Sequence, residues 1–307
     1  MSSTARLFKP FDVSCEADYR RWRERKLVNF PRTLDDLIIA VNDPAVLDSK
    51  EHAAVLACCN RANMSIYRTT GDRITDKDTI RSLGRQFGLE RLDMNLRADE
   101  DSITALRVVP GTADNHYIPY TNRALNWHTD GYYNNVDEWV RGMVMHCVTP
   151  AASGGANLLL DPEIVYIMMR DENPAYVTAL MQPDAMTIPA NVEQGKEIRP
   201  AQTGPVFSVE TNTHSLHMRY TARSRSIEWR DDPETHRATG FLRELLAGNS
   251  DCIFRYRLQA GEGIICNNIL HVRESFEDGS NANRLLYRAR YHDRIKGTEM
   301  MAGNPGE

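Results

Sequence analysis

From residue 63 to residue 291 short apolar or alternating runs recur, each cut off by Pro, Gly or Asn, and no strand–helix–strand period organises them. Residues 63–70 read as a first strand, residues 103–109 alternate and end at a Pro110-Gly111 turn, and residues 141–149 are an unbroken apolar run of the kind a buried strand needs. Further strands are expected at 156–160, 206–209, 217–220, 253–258, 263–268 and 285–291. Helices fit 75–87, 161–170 with Pro162 in the first turn, and 232–246 before Gly248-Asn249. Residues before 63 read as helical; Ser49 is the expected N-cap of a helix over 49–60 with His52 at N3, and the Arg-rich run 21–26 a solvated helix face anchored by Trp22. Many short strands with a few helices predict a mainly β sandwich or barrel carrying helices. Internal repeats and linkers are absent, so the expectation is one domain over 1–307, with residues 1–62 a mainly helical N-terminal extension packed on the barrel.

A net charge of -5 argues against nucleic acid as a partner, and no apolar run is long enough to cross a bilayer. The N-terminus lacks the apolar stretch of a secretory signal, and the six Cys are scattered without a C-x-x-C pair, so reduced thiols in a cytoplasmic protein are expected. Neither a G-x-G-x-x-G nor a P-loop follows a strand, which removes the dinucleotide and P-loop classes. The oligomeric state is left open, a homo-oligomer included.

The chemistry-bearing stretch is Leu125-Asn126-Trp127-His128-Thr129-Asp130-Gly131-Tyr132-Tyr133. On a strand, positions two apart share a face, so His128 and Asp130 can reach one ion together. The pair alone is a weak signal: with 42 acidic residues among 307, nine His give about one His-x-Asp/Glu by chance. Nearer the C-terminus, a turn at Gly261 leads into an apolar strand that ends on His271, and Arg284-Leu-Leu-Tyr-Arg288-Ala-Arg290-Tyr begins thirteen positions on. There Arg284, Leu286, Arg288 and Arg290 share one strand face. Arg290 taken alone reads as facing water. His214 and His217 have helical metal spacing in a segment that reads as strand and turn, and His116 and His146 have no carboxylate at useful spacing.

Trp127-His-Thr-Asp130, Gly154-Gly155, the strand into His271 and Arg284-Leu-Leu-Tyr-Arg288 stand in an order that resembles the taurine dioxygenase/TfdA family, over roughly half of the chain. The resemblance implies a double-stranded β-helix (jelly-roll) core decorated by α-helices. It also implies an Fe(II)- and 2-oxoglutarate-dependent dioxygenase that uses O2 and releases succinate and CO2. His128, Asp130 and His271 would ligate iron, and Arg284 would bind the distal carboxylate of 2-oxoglutarate. Asn157 stands where relatives commonly carry Thr, and its amide can donate a comparable hydrogen bond. A carboxylate at Asp130 argues against the halogenase variant, which needs a small residue there. Arg288 would meet an acidic group of the substrate, with Tyr117, Tyr120, Tyr132 and Tyr133 on the other wall, so a small anionic or zwitterionic molecule is expected. Competing readings are a non-catalytic metal and 2-oxoglutarate sensor on the same fold, and a cupin-type metal enzyme that uses no keto acid.

Overall fold

A computed structural model of the chain describes residues 8–71, 76–94, 102–108, 118–223, 227–279 and 283–300. Its helices are α1 (Glu16–Asn29), α2 (Ser49–Ala62), α3 (Lys77–Gln86), α4 (Pro162–Glu172), α5 (Pro174–Leu180) and α6 (Pro233–Ala247). The strands of the two main sheets are β1 (Ile38–Val41), β2 (Met64–Thr69), β3 (Ile103–Leu106), β4 (Leu125–His128), β5 (Gly142–Thr149), β6 (Asn157–Leu160), β7 (Phe254–Tyr256), β8 (Glu262–Cys266), β9 (Leu270–Arg273) and β10 (Leu285–Tyr291). The larger sheet runs β1-β2-β8-β5-β10-β3 and the smaller β7-β6-β9-β4. All neighbours are antiparallel except β1 and β2. Short hairpins complete the strands.

The two-residue period of a strand sorts the larger sheet's side chains onto two faces. Met143, Met145 and Cys147 of β5, Ile264 and Cys266 of β8 and Leu286 of β10 join Leu159, Leu270 and Phe254 of the smaller sheet in one core. Val144, Ile265, Ala289 and Tyr291 point the other way, onto Val55 and Cys59 of α2 and Ile80 and Leu83 of α3. Helices therefore cover one face of the larger sheet while the other meets the smaller sheet. Leu286 faces that second, interior side, and so do Arg288 and Arg290 at its two-residue spacing.

The N-terminal part is less helical than expected. The four-residue strand β1 pairs in parallel with β2, and α2 crosses between them, one βαβ unit inside an otherwise antiparallel sheet. Ile38-Ile39-Ala40-Val41 has strong strand propensity but is too short to show a period. The α2 cap lies one residue earlier than expected. Asp48 accepts from the backbone N–H groups of Lys50 and Glu51, and Glu51, not His52, returns the bond at N3. Helix α5 also replaces part of a segment expected to hold only strands. The strand expected over 103–109 ends at Leu106, while the end of that expected run, the Pro110-Gly111 turn, His116 and Tyr117 lie outside the described residues. All six Cys are free thiols, four of them buried, and no helix among the described residues is long and apolar enough to cross a membrane.

The Arg-rich face of α1 is only partly solvated. Trp22 is buried edge-on to Phe11, as an anchor should be. Lys26, expected in water, is buried as well: its Nζ lies 2.6 Å from Asp161 Oδ2 and 2.5 Å from Glu163 Oε2. Burial pushes the ammonium down, but Asp161 and Glu163 more than offset it and raise it above its usual value. Asp161 Oδ1 also caps α4 through the Glu163 N–H and accepts from Asn63 Nδ2, so one carboxylate ties α1, the end of α2 and α4 together. Lys26→Met leaves two buried carboxylates without their cation and is expected to lower the unfolding free energy by about 3–5 kcal/mol. Urea unfolding would read this as a lower midpoint at unchanged slope; an unchanged midpoint would remove the role.

Candidate active site

β4 and β9 are antiparallel neighbours, and their register sets His128 directly opposite His271, with ring centroids 4.2 Å apart. In each ring Nδ1 lies against the carbonyl oxygen two residues earlier, Asn126 at 2.8 Å for His128 and Ile269 at 3.0 Å for His271. A carbonyl oxygen only accepts, so Nδ1 must carry the proton and each Nε2 keeps a bare lone pair. Burial, with His271 alongside, pushes His128 down to about 3, and burial also lowers His271, so both rings are neutral at ordinary pH.

Asp130 reaches the same point by a different route from the one expected. β4 stops at His128, and Asp130 opens a turn whose Gly131 has φ 66°. A Cβ on Gly131 would stand 2.5 Å from Val140 Cγ2, so both backbone and space require glycine there. Asn268 clamps the turn: its side-chain oxygen accepts the Asp130 N–H at 2.8 Å, and its amide donates to the carbonyls of Asp130 at 2.9 Å and Val140 at 2.6 Å. Ligand atoms of His128, Asp130 and His271 then all lie within 4.8 Å of one another, and all three residues are buried.

The Asp130 carboxylate is held from behind. Arg288 donates to Oδ1 at 3.0 Å, and Arg290 stands 3.9 Å from the same oxygen while pairing with Asp93 and donating to the Tyr133 hydroxyl at 3.0 Å. Burial alone would raise the carboxyl, but Arg288 and then Arg290 hold it well below the usual carboxylate range. Oδ2, on the other hand, is buried and has no hydrogen-bond partner. Two bare imidazole nitrogens and one unpartnered carboxylate oxygen, each steadied by a hydrogen bond through its other atom, fit Fe(II) in donor type and in orientation.

Arg284 lies away from this cluster, in a narrow pocket with Gly155, Asn157, Cys147 and Arg257. It is 4% exposed, its guanidinium sits 4.8 Å from the centre of the Phe276 ring, and burial pushes it down to about 10. No carboxylate is within ion-pair distance of it among the described residues. Asn157 is buried at the start of β6, directly opposite Arg273 of β9. A buried, unneutralised guanidinium beside an amide is suited to a carboxylate ligand.

A separate cleft of about 870 Å3 opens beside His128 and Asp130. Tyr120, Tyr132, Tyr133 and Arg288 line it, as expected, and so do Asp93, Arg199, Arg223 and Arg290, which were not expected there. Arg290, expected in water, is 3% exposed: the Arg face of β10 points between the sheets, and Asp93 supplies the counter-charge. His217 is buried and stacked on Trp139 at 4.9 Å, with His214 in a turn at φ 52°, so neither joins the cluster. His146 is buried against the Tyr67 hydroxyl.

A family model described as taurine catabolism dioxygenase TauD, TfdA family matches residues 39–290. The chain belongs to the TauD/TfdA family. Two similar curated proteins are both named uridine-5'-phosphate dioxygenase. The one from a Streptomyces species is 29% identical over 221 residues, covering 68% of this chain and 77% of the relative. The one from an Amycolatopsis species is 30% identical over 185 residues, covering 58% of this chain and 64% of the relative, just under two thirds of its length. The fold is shared with the non-heme iron oxygenase OrfP, solved with Fe, succinate and (3S)-hydroxy-L-arginine, at a TM-score of 0.61 and 13% identity over 81% of this chain and 82% of that one.

As a TauD/TfdA dioxygenase the protein is an oxidoreductase that depends on Fe(II) and 2-oxoglutarate and acts on a small molecule. That decides the choice left open between enzyme, sensor and keto-acid-independent cupin. Asp93, Arg199 and Arg223 of the dioxygenase's cleft were not singled out in the sequence, since each lies in a segment with no motif, and Asn268 stood out only as part of an Asn267-Asn268 pair after an apolar strand. Asp93→Ala strips the counter-charge from buried Arg290 and is expected to cost about 3–5 kcal/mol of stability. Adding Arg290→Met should restore part of that loss in urea unfolding. If the single variant is as stable as the parent, the pair does not anchor β10.

Proposed function

We propose that the dioxygenase holds Fe(II) through His128 Nε2, Asp130 Oδ2 and His271 Nε2, and binds the distal carboxylate of 2-oxoglutarate with Arg284, supported by Asn157. The observation that carries this reading is the meeting of two bare imidazole nitrogens and one unpartnered carboxylate oxygen within 4.8 Å. The larger and smaller sheets form a double-stranded β-helix core in a single domain, to which the N-terminal part adds helices α1 and α2 and the edge strand β1 of the larger sheet. When bound, Fe(II) with 2-oxoglutarate and O2 supplies the oxidising power for a substrate C–H bond, and 2-oxoglutarate leaves as succinate and CO2. The chain's own tasks are positional. His128 and His271 stay neutral because burial keeps protons off them, Arg288 fixes the tilt of the Asp130 carboxylate, and the buried surroundings keep bulk water from the reacting carbon.

Tyr120, Tyr132 and Arg288 form the wall against which the substrate lies, and the substrate is a small anionic or zwitterionic molecule. The names of the two curated relatives make a nucleoside monophosphate the first class to try, with amino acids second.

Succinate formation across a panel of nucleotides and small amino acids, with Fe(II) and 2-oxoglutarate, tests the whole reading. His128→Ala and His271→Ala are expected to abolish turnover and Fe(II) binding while leaving the circular dichroism of the fold in place; full activity in His271→Ala would end the ligand assignment. Arg284→Ala removes a charge-assisted fork from a buried carboxylate and should weaken 2-oxoglutarate by about 2–5 kcal/mol. Equilibrium binding should show this with metal affinity intact, and an unchanged cosubstrate affinity would move the role to another residue.

A further inference from the structure

Four guanidinium groups line the cleft beside His128 and Asp130, and they are not equivalent. Arg288 pairs with Asp130 and Arg290 with Asp93, so both are neutralised within the protein. Arg199 and Arg223 have no ion-pair partner among the described residues. Arg199 is nevertheless fixed. It donates from its two terminal nitrogens to the carbonyls of Pro200 at 2.8 Å and Pro189 at 2.7 Å, with its guanidinium carbon 5.8 Å from the centre of the Tyr133 ring. Burial lowers it, and among the described residues the Tyr132 and Tyr133 hydroxyls act to raise it.

Arg199, Arg223, Thr221 and Tyr132 line the same cleft. Tyr132 meets the His128 ring edge-on at 6.5 Å, and Thr221 bridges to the His128 backbone. Arg199 and Arg223, unpaired among the described residues, therefore line the same cleft as the proposed metal ligands His128 and Asp130.

We propose that Arg199 and Arg223, together with the Tyr132 hydroxyl, form the subsite that receives the phosphate of a phosphomonoester substrate. A single carboxylate would neutralise only one of the two guanidinium groups, whereas a phosphomonoester carries close to two charges and three acceptor oxygens at neutral pH. Guanidinium forks match phosphate oxygens in geometry as well as charge. A cleft of about 870 Å3 in a chain of net charge -5 suits a small dianion and not a polyanion. Arg288, with its charge already met by Asp130, is left to position that carboxylate. This inference rests on the reading that the cleft holds the substrate of the proposed dioxygenase site.

Calorimetric binding of phenyl phosphate and benzoate to the purified protein, metal-free and with anaerobic Fe(II) and 2-oxoglutarate, tests it without requiring turnover. Phenyl phosphate should bind at least about tenfold more tightly than benzoate, equivalent to about 1.4 kcal/mol. Arg223→Gln and Arg199→Gln should each remove that preference, and Arg199→Lys should restore part of it if loss of the proline contacts unfolds the glutamine variant. Arg237→Gln, on an exposed face of α6, should change nothing. Equal affinity for the two ligands, or a preference that survives both Arg223→Gln and Arg199→Lys undiminished, would overturn the proposal. A protein that binds phenyl phosphate through these residues but forms no succinate with any substrate would instead count against the ligand and cosubstrate assignments, and leave the anion subsite standing.

Discussion

Two arginines on the inward face of β10, and Arg284 just before it, set the conditions for everything around them. Strand alternation gives Arg288 and Arg290 the same side as Leu286, which packs in the core between the sheets, and Arg284 is likewise buried near the strand's start. A buried guanidinium is costly unless a counter-charge meets it. Arg290 is met by Asp93 and Arg288 by Asp130, while Arg284 is met by no described carboxylate. The two satisfied cations stand beside the proposed metal ligands, and the one without a described counter-charge is the arginine proposed to take the carboxylate of 2-oxoglutarate.

The same constraint bears on the metal role proposed for Asp130. A carboxylate buried among apolar side chains would take up a proton; with Arg288 on Oδ1 and Arg290 behind, it stays ionised and presents Oδ2 forward. The imidazoles need no such help, because burial already keeps them neutral and backbone carbonyls fix which nitrogen is bare. Rigid support behind each donor, and not the donors alone, turns three common residues into a preorganised site.

Much of this was legible in the sequence, for physical reasons that also mark where legibility ended. Hydrophobic patterning is local, so β5, an unbroken apolar run, and β10 could be placed nearly to the residue, and the shared face of Arg288 and Arg290 followed from alternation. Which side of the sheet that face meets is a tertiary fact; Arg290 read as solvated because its partner, Asp93, lies nearly two hundred positions away in a segment without a motif. Lys26 was misplaced on the same ground, its carboxylates belonging to α4. β1 was too short to show a period, and the α2 cap moved by one residue because Asp48 and Ser49 are both good caps. His128 and Asp130 were paired on the premise of a continuous strand, whereas a glycine turn held by Asn268 brings them together.

The central claim is that Arg288 holds Asp130 so that Oδ2, and not Oδ1, completes a site with the two Nε2 atoms. Crystals grown anaerobically with Mn(II) and 2-oxoglutarate, measured at a wavelength where manganese scatters anomalously, address it directly. The account predicts one strong anomalous peak between His128 Nε2, Asp130 Oδ2 and His271 Nε2, with Arg288 still donating to Oδ1. A peak elsewhere, or one bound through Oδ1 with Arg288 released from Asp130, would contradict it.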